Sequence, residues 1–306
     1  HTMSILGVIC GLVAALFMAL AFFCSSRAIR LHPDMGSLGL LARAHVIMGG
    51  LALVALPLFW REQVWQDLRL WLPITLAGVL CYLLGQTCLF LAQRKVDSSR
   101  LVPLLGLKLV ILAFLNAIVF RSEQYGWLQV LAIICTLSSA LMLNNAGRKI
   151  PLPSFFLVIL ACTGYSLSDT CIKRQMEVVA SLGIEGLALQ SLLCTSLSYT
   201  LSGVLGLLLL PLTSRQGRQS WIHTAPFALT WITGIVFLFA CFALIGTVNG
   251  NIAQSTRGLW AILAGYILAK AGLTYLEERV SWQIILRRVA AAILMILAIL
   301  LFNCRQ

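Results

Sequence analysis

Long apolar stretches recur along the whole chain and limit its possible folds more than any other feature. Each is close to the roughly 20 residues that a helix needs to cross the hydrocarbon core of a bilayer. Charges, prolines and polar clusters separate the stretches and predict helices over residues 4–26, 35–58, 70–92, 98–119, 124–145, 153–175, 184–211, 224–247, 252–270 and 281–302. With 60% hydrophobic and 10% charged residues, the composition is also far from that of soluble proteins. The sequence therefore predicts an all-α integral membrane protein with ten transmembrane helices.

The net charge of +12 would suggest nucleic acid as the partner of a soluble protein. Here most lysines and arginines stand at the ends of apolar stretches, as the positive-inside rule and snorkelling side chains require. We therefore expect a lipid bilayer as partner and no nucleic acid. The ten cysteines lie almost entirely within apolar stretches, without a CxxC pair or a Cys/His cluster, so neither a metal nor a cofactor is expected. The chain has no Asn-x-Ser/Thr site, which is compatible with the predicted location in a bacterial inner membrane.

The chain also repeats itself. The matching segments are 121–143 with 276–298, aligned on Glu123 and Glu278, and 96–107 with 253–264, in which Arg100 lies opposite Arg257. These matches predict two five-helix repeats, over residues 4–145 and 153–303, within one integrated membrane domain. Because five is an odd number, the second copy enters the membrane from the opposite side. Such inverted repeats are typical of secondary transporters, whose binding sites lie near the bilayer midplane between the repeats.

The second repeat carries a family pattern. Residues 255–260 read Ser-x-Arg-Gly-x-Trp, and an acidic-basic turn at Glu278 and Arg279 precedes a helix of small residues that ends at Phe302. This pattern resembles the drug/metabolite transporter superfamily, specifically its EamA-like branch of ten-helix transporters. The resemblance implies a basket of helices around a central cavity, peripheral fifth and tenth helices, and alternating access between the two sides.

Charged residues deep inside apolar stretches are the strongest site candidates. Lys108 is about eight residues past Arg100, roughly 12 Å along the helix and close to the midplane. A lysine at that depth costs about 3 kcal/mol on insertion scales unless it faces the protein interior, so we expect it to line the cavity. Arg43 and His45 have a similar depth but are about 200° apart around their helix, so only one can point inward. We expect Arg43 to do so, with His45 as a packed residue or a proton carrier.

Two stripes of aromatic and polar residues also suit a binding site. Tyr82 and Gln86 are four residues apart on one predicted helix, and Tyr165 and Asp169 on another, so each pair shares a helix face. We expect all four to contact an organic solute, and Asp169 to serve as counter-ion to Lys108 or as a proton-coupling group. Gln190 is a further candidate. Hydrogen bonding between helices is the alternative role for each of these polar residues.

The stretch TVNGNIAQSTRG at residues 247–258 is unusually polar for its apolar surroundings. Asn249 and Asn251 favour a turn, which would put the start of the next helix, with Arg257, beside the cavity. Free N–H groups and a positive dipole end there would favour an anion, so Arg257 and Trp260 are binding candidates. The alternative is that Arg257 snorkels to lipid headgroups and Trp260 belongs to the interfacial aromatic belt.

The interior charges are mainly positive. We therefore predict a secondary transporter that moves a small anionic or zwitterionic metabolite, such as an amino acid or an organic or phosphorylated acid, by alternating access and in the direction of export. A homodimer is left open. The alternatives are a membrane-embedded enzyme, for which no HExxH, GxSxG or acidic cluster is present, and a non-transporting accessory membrane protein, which would be expected to carry longer soluble loops. We therefore do not expect this protein to be an enzyme.

Overall fold

The computed structural model describes residues 2–108, 110–111, 126–145, 149–215, 217–274, 276–277 and 279–303, and no strand occurs among them. The main helices are α1 (Thr2–Leu31), α2 (Gly36–Phe59), α3 (Leu68–Gln93), α4 (Ser98–Leu104), α5 (Trp127–Asn145), α6 (Leu152–Ser181), α7 (Leu187–Leu209), α8 (Arg218–Ser255), α9 (Arg257–Lys270) and α10 (Trp282–Asn303). A 3-10 turn over Leu105–Leu107 continues α4. A short helix over Glu62–Gln66 links α2 to α3. Glu123 and Glu278, on which the repeat was aligned, lie outside the described residues.

Six apolar segments of the described chain are long enough to cross a membrane. They are Ile5–Leu31, Pro33–Phe59, Leu68–Gln93, Leu152–Ser181, Leu187–Leu212 and Arg218–Ile245. The prediction of an all-helical membrane protein is therefore confirmed. The count of ten transmembrane helices and the inverted repeat stay predictions.

Helices from the two halves of the chain pack against each other. The densest contacts join α1 with α8, α3 with α6, α2 with α7, α5 with α10 and α4 with α9. Each pair takes one helix from residues 2–145 and one from residues 152–303. The halves therefore share one interior.

Glycines allow two of these pairs to approach until their backbones touch. On α2 and α7, a Cβ atom added to Gly203 would lie 2.6 Å from the Gly49 Cα. On α3 and α6, a Cβ atom added to Gly164 would lie 2.9 Å from the Gly85 Cα. In lipid the hydrophobic effect does not drive helices together, so helices associate through close packing. Small residues such as these glycines permit that packing.

Helix α8 is bent sharply, although its residues are helical from Arg218 to Ser255. Cys241 and Ala253 would be about 18 Å apart along a straight helix. Both nevertheless face Gly11 of α1: a Cβ atom added there would lie 3.0 Å from the Cys241 Sγ and 2.5 Å from the Ala253 Cβ. The chain thus reverses direction between these two residues. The reversal includes the predicted turn at Asn249–Asn251, but its residues stay in helical conformation where a non-helical turn was expected.

Candidate functional site

An ion pair joins the two halves of the chain in the interior. The Lys108 ammonium, just past α4, donates a hydrogen bond to the Asp169 carboxylate on α6. The two side chains are only 7% and 10% exposed. A buried charge is tolerated when an opposite charge compensates it, so Lys108 and Asp169 each compensate the charge of the other. The counter-ion role predicted for Asp169 thus has a geometric basis.

Arg257 adds a second buried cation to this pair. It is the first residue of α9, is 7% exposed, and interacts electrostatically with both Lys108 and Asp169. A glycine follows it because α9 crosses α4 closely: a Cβ atom added to Gly258 would lie 3.1 Å from the Pro103 Cα. Among the described residues, this group therefore consists of two cations and one carboxylate, with a formal net charge of +1.

A cavity of about 40 Å³, with both polar and apolar residues in its lining, adjoins the two cations. Its polar lining consists of Lys108, Asn251, Gln254, Ser255 and Arg257. Gln254 and Ser255 reach the cavity because α8 reverses direction before them. Ligand pockets usually measure about 300–1,000 Å³, so this cavity has room for water but not for an organic solute. A solute can bind here only if the helices around the cavity separate.

An aromatic layer surrounds Tyr82 next to the ion pair. Its rings belong to Tyr82, Tyr165, Tyr199 and Trp231, with Tyr82 and Trp231 stacked at 5.9 Å between ring centroids. The Tyr165 hydroxyl donates to the Gln86 Oε1 at 2.6 Å. The Trp231 Nε1 donates to the Tyr199 hydroxyl at 2.8 Å. The structure therefore brings the two predicted stripes on α3 and α6 together.

His45 is fully buried and belongs to this layer. Its Nδ1 lies 2.7 Å from the Leu41 carbonyl oxygen, which can only accept, so Nδ1 carries a proton. Its Nε2 lies 3.1 Å from the Tyr82 hydroxyl. In neutral His45 this Nε2 accepts from Tyr82, and in protonated His45 it donates to the Tyr82 oxygen. The contact has a donor and an acceptor in either protonation state, so both alternatives for His45, a packed residue and a proton carrier, stay predictions.

Arg43 lies away from the ion pair, contrary to the expectation that it, rather than His45, faces the cavity. Its guanidinium donates to the carbonyl oxygens of Gly39, at 3.0 Å, and Ser214, at 2.9 Å. It also lies 5.7 Å from the centroid of the Trp221 ring. The long side chain points back toward the helix N-terminus, as helical side chains do, and fastens α2 to the α7–α8 connection.

Two other predicted site residues also lie outside the central cavity. Gln190 is half-buried in the first turn of α7 and donates to the Ile184 carbonyl oxygen at 2.7 Å. Trp260 is 38% exposed on the outer side of α9, where an interfacial aromatic residue is expected. Local hydrogen bonding and the interfacial belt, the alternatives for these residues, agree with their positions.

Sequence reasoning missed several residues that the fold brings together. A second cavity of about 40 Å³ lies among α3, α6, α7 and α8, where the predicted Tyr82 is joined in the lining by Ser168, Gln175, Ser198 and Tyr199, which were not predicted. In its wall the Ser198 hydroxyl donates to the Gln175 Oε1 at 3.0 Å. One usable signal was Trp231, because a tryptophan within an apolar span needs a partner for its N–H group. Another was the run of hydroxyl residues at 195–202 on α7.

Comparison with known proteins identifies a family match in the first half of the chain. Residues 5–145 match the model of the EamA-like transporter family. A solved structure described as "Crystal structure of protein" is similar in fold, with a TM-score of 0.61 and 14% sequence identity over 95% of each chain. Among curated proteins no match was found. The match of residues 5–145, together with the apolar membrane-spanning helices, supports membership of the drug/metabolite transporter superfamily, to which EamA-like transporters belong.

Proposed function

We propose that this transporter carries small organic acids or zwitterions, such as amino acids, and binds them beside Lys108, Asp169 and Arg257. One observation carries the proposal: a group of three buried charges with a net charge of +1 places its two cations, Lys108 and Arg257, in the lining of a cavity between the two halves. A solute carboxylate or phosphate next to Arg257 would compensate the uncompensated positive charge. Compensation of this kind favours anion binding at a buried site.

The same group suits a zwitterion particularly well. A solute ammonium can take the place of the Lys108 ammonium on Asp169, while the solute carboxylate faces Lys108 and Arg257. Both solute charges then find partners of opposite sign without a new buried charge. A solute that carries only a positive charge would meet two cations against one carboxylate and is disfavoured.

The pattern of helix pairs supports alternating access by an inverted repeat of residues 4–145 and 153–303. Exchanging α1–α5 with α6–α10 turns the α1–α8 pair into the α6–α3 pair. The same exchange returns α2–α7, α4–α9 and α5–α10 to themselves. Two-fold-related halves would pack in this way, and such halves can open alternately to either side of a site that lies between them.

The Lys108–Asp169 pair is well placed to couple binding to that motion. It bridges α4 and α6, and a solute that competes for either charge weakens the bridge. Such a solute binds more tightly to a state in which the bridge is open, which is the differential affinity that a conformational change requires. We propose export as the direction, with His45 and Asp169 as candidate groups for coupling to protons.

Thermal-shift measurements on the purified protein test the solute class. The probes are amino acids, dicarboxylates, sugar phosphates and quaternary amines, and a ligand at 100 times its Kd stabilises by about 2.7 kcal/mol. We expect stabilisation by the acids or amino acids and none by the quaternary amines. The same solute should then enter proteoliposomes that contain the wild type but not those that contain Lys108→Gln.

A matched control separates the site from a general effect of charge. Lys173 lies on the same helix as Asp169 and is exposed. Its Nζ lies 4.0 Å from the Oε1 of Glu177, whose side chain is also exposed. Lys173→Gln should transport like the wild type. Stabilisation by quaternary amines alone, or full transport by Lys108→Gln, would overturn the proposal.

A further inference from the structure

A third cavity lies between α9, α10 and the connection that joins them, and it shares no lining residue with the cavity at the ion pair. We call it the α9–α10 cavity; its polar lining consists of Tyr266, Lys270, Glu277, Arg279 and Arg288. We propose that this cavity binds the phosphate headgroup of an anionic membrane phospholipid. The proposal concerns the outer surface of the protein and does not depend on the transported solute.

The cavity is large enough for such a group. Its volume is about 280 Å³, compared with about 40 Å³ for each of the two central cavities. It approaches the lower end of the range in which small-molecule sites are usually found. A phosphate with part of its glycerol could therefore enter the cavity without displacing helices.

The lining charges are mainly positive. Among the described lining residues, Lys270 and Arg279 are exposed at the rim, Arg288 is buried in the wall, and Glu277 supplies one carboxylate. The Arg279 Nε donates to the Ala269 carbonyl oxygen at 3.1 Å, which anchors the guanidinium at the end of α9. Basic pockets between membrane helices recognise anionic lipid headgroups in this way.

The carboxylate of Glu277 is directed toward the protein rather than the rim. Its two oxygens accept from the backbone N–H of Ser99, at 3.0 Å, and from the Ser99 hydroxyl, at 2.6 Å. Arg288 donates to the same hydroxyl at 2.9 Å. Glu277 thus holds the start of α4, and the basic groups at the rim are the ones that a ligand meets first.

The position of the cavity favours a lipid over a free phosphate. Lys270 is the last residue of α9 and Trp282 the first of α10, so the cavity lies where the chain leaves the apolar helices. The Trp282 side chain is 61% exposed and packs edge-on against Tyr266, with 6.1 Å between the ring centroids. Such a position is typical of an interfacial aromatic belt. Exposed apolar side chains, Leu263 and Ile267 on α9 and Leu286 on α10, offer the acyl chains a surface next to the cavity.

Lipid binding to the delipidated, detergent-purified full chain tests the proposal. The probes are phosphatidylglycerol, phosphatidylcholine, and water-soluble glycerol phosphate, measured by native mass spectrometry and by thermal shift. We expect phosphatidylglycerol to bind preferentially and the double variant K270Q/R279Q to lose roughly tenfold or more in affinity for it, since each basic residue near a membrane surface contributes to attraction of anionic lipid. Both residues are exposed, so the variant should remain folded, and R279Q alone should show an intermediate loss.

Arg287 supplies a matched control because it neighbours Arg288 on α10, is exposed, and does not line the cavity. R287Q should bind phosphatidylglycerol like the wild type. Equal affinity for glycerol phosphate and phosphatidylglycerol would indicate that the cavity binds a free phosphate and would overturn the proposal of a lipid ligand. Unchanged lipid binding by K270Q/R279Q, or an equal loss in R287Q, would overturn the site.

Discussion

The Lys108 ammonium contacts the Asp169 carboxylate, and this contact joins α4 of the first half to α6 of the second. Both groups lie in the interior, where a charge without a partner is costly. A third charge, on Arg257, interacts with both of them. The relationship therefore combines a structural link between the halves with an excess of positive charge at the place where a solute is proposed to bind.

Replacing Asp169 with Asn should destabilise the protein more than replacing Lys108 with Met. Asp169→Asn leaves two buried cations together, whereas Lys108→Met leaves Asp169 with Arg257. Breaking a buried pair typically costs about 3–5 kcal/mol. Unfolding in detergent micelles measures both variants and the double variant. The double variant should lose less stability than the sum of the two single losses by at least about 1 kcal/mol; an additive result would contradict a direct pair.

Replacing Tyr82 with Phe should lower stability by about 1–3 kcal/mol, because the buried His45 Nε2 loses its partner. Thermal unfolding of the purified variant provides the measurement. Tyr266→Phe is the control, since the Tyr266 ring packs against Trp282 at the surface and keeps that contact without its hydroxyl. A similar loss in both variants would speak against a specific role for the His45–Tyr82 hydrogen bond.

Glu277 should make stability depend on pH. Burial, and next the charge of Asp97, raise the pKa of this carboxyl from 4.5 to about 7, while its hydrogen bonds with Ser99 and the charge of Arg288 act in the opposite direction. Between these two pH values the folded protein retains a proton that the unfolded chain has released. The free energy of unfolding should therefore fall as pH rises from about 4.5 to 7, and the contribution should be absent above that range.

Chemical unfolding at several pH values between 5 and 8 checks this expectation. The wild type should lose stability as pH rises from 5 to about 7 and level off above it, and Glu277→Gln should remove most of the slope, because the amide does not titrate. Glu185→Gln, which changes an exposed carboxylate at the α6–α7 connection, should leave the slope unchanged. An identical slope in the wild type and Glu277→Gln would rule out Glu277 as its source.

Neighbouring glycines on α2 should respond to alanine with opposite signs. An added methyl group at Gly49 would meet the backbone of α7, with the Gly203 N and the Tyr199 carbonyl oxygen both 3.0 Å away. At Gly50 nothing lies within 4 Å. Alanine is favoured over glycine in a helix by up to about 1 kcal/mol, so Gly50→Ala should be neutral or stabilising.

Gly49→Ala should instead destabilise the protein, because α2 and α7 must move apart to accommodate the methyl group. Thermal unfolding of the two variants under identical conditions gives the comparison. Equal midpoints for Gly49→Ala and Gly50→Ala would show that α2 and α7 do not pack this closely.

The class of the protein follows from local properties that a sequence displays directly. An apolar stretch of about 20 residues has few alternatives to a membrane helix, since its length matches the bilayer and its backbone must satisfy its own hydrogen bonds. Depth along a helix is equally local. Lys108, about eight residues past Arg100, is buried, and four-residue spacing places Tyr82 with Gln86 and Tyr165 with Asp169 on shared helix faces. The solute-binding role of these residues stays a prediction.

The partners of these residues were decided by the tertiary structure. Arg43 and His45 have nearly the same depth, and only the rotation of α2 against α7 and α3 directs His45 to Tyr82 and Arg43 to Ser214. Among the described residues of the α9–α10 connection, Glu277 has a buried carboxylate, which the sequence pattern did not single out. Sequence spacing determines where a side chain begins on its own helix, whereas its contacts depend on how neighbouring helices are placed, and that placement arises from packing between residues far apart in the chain.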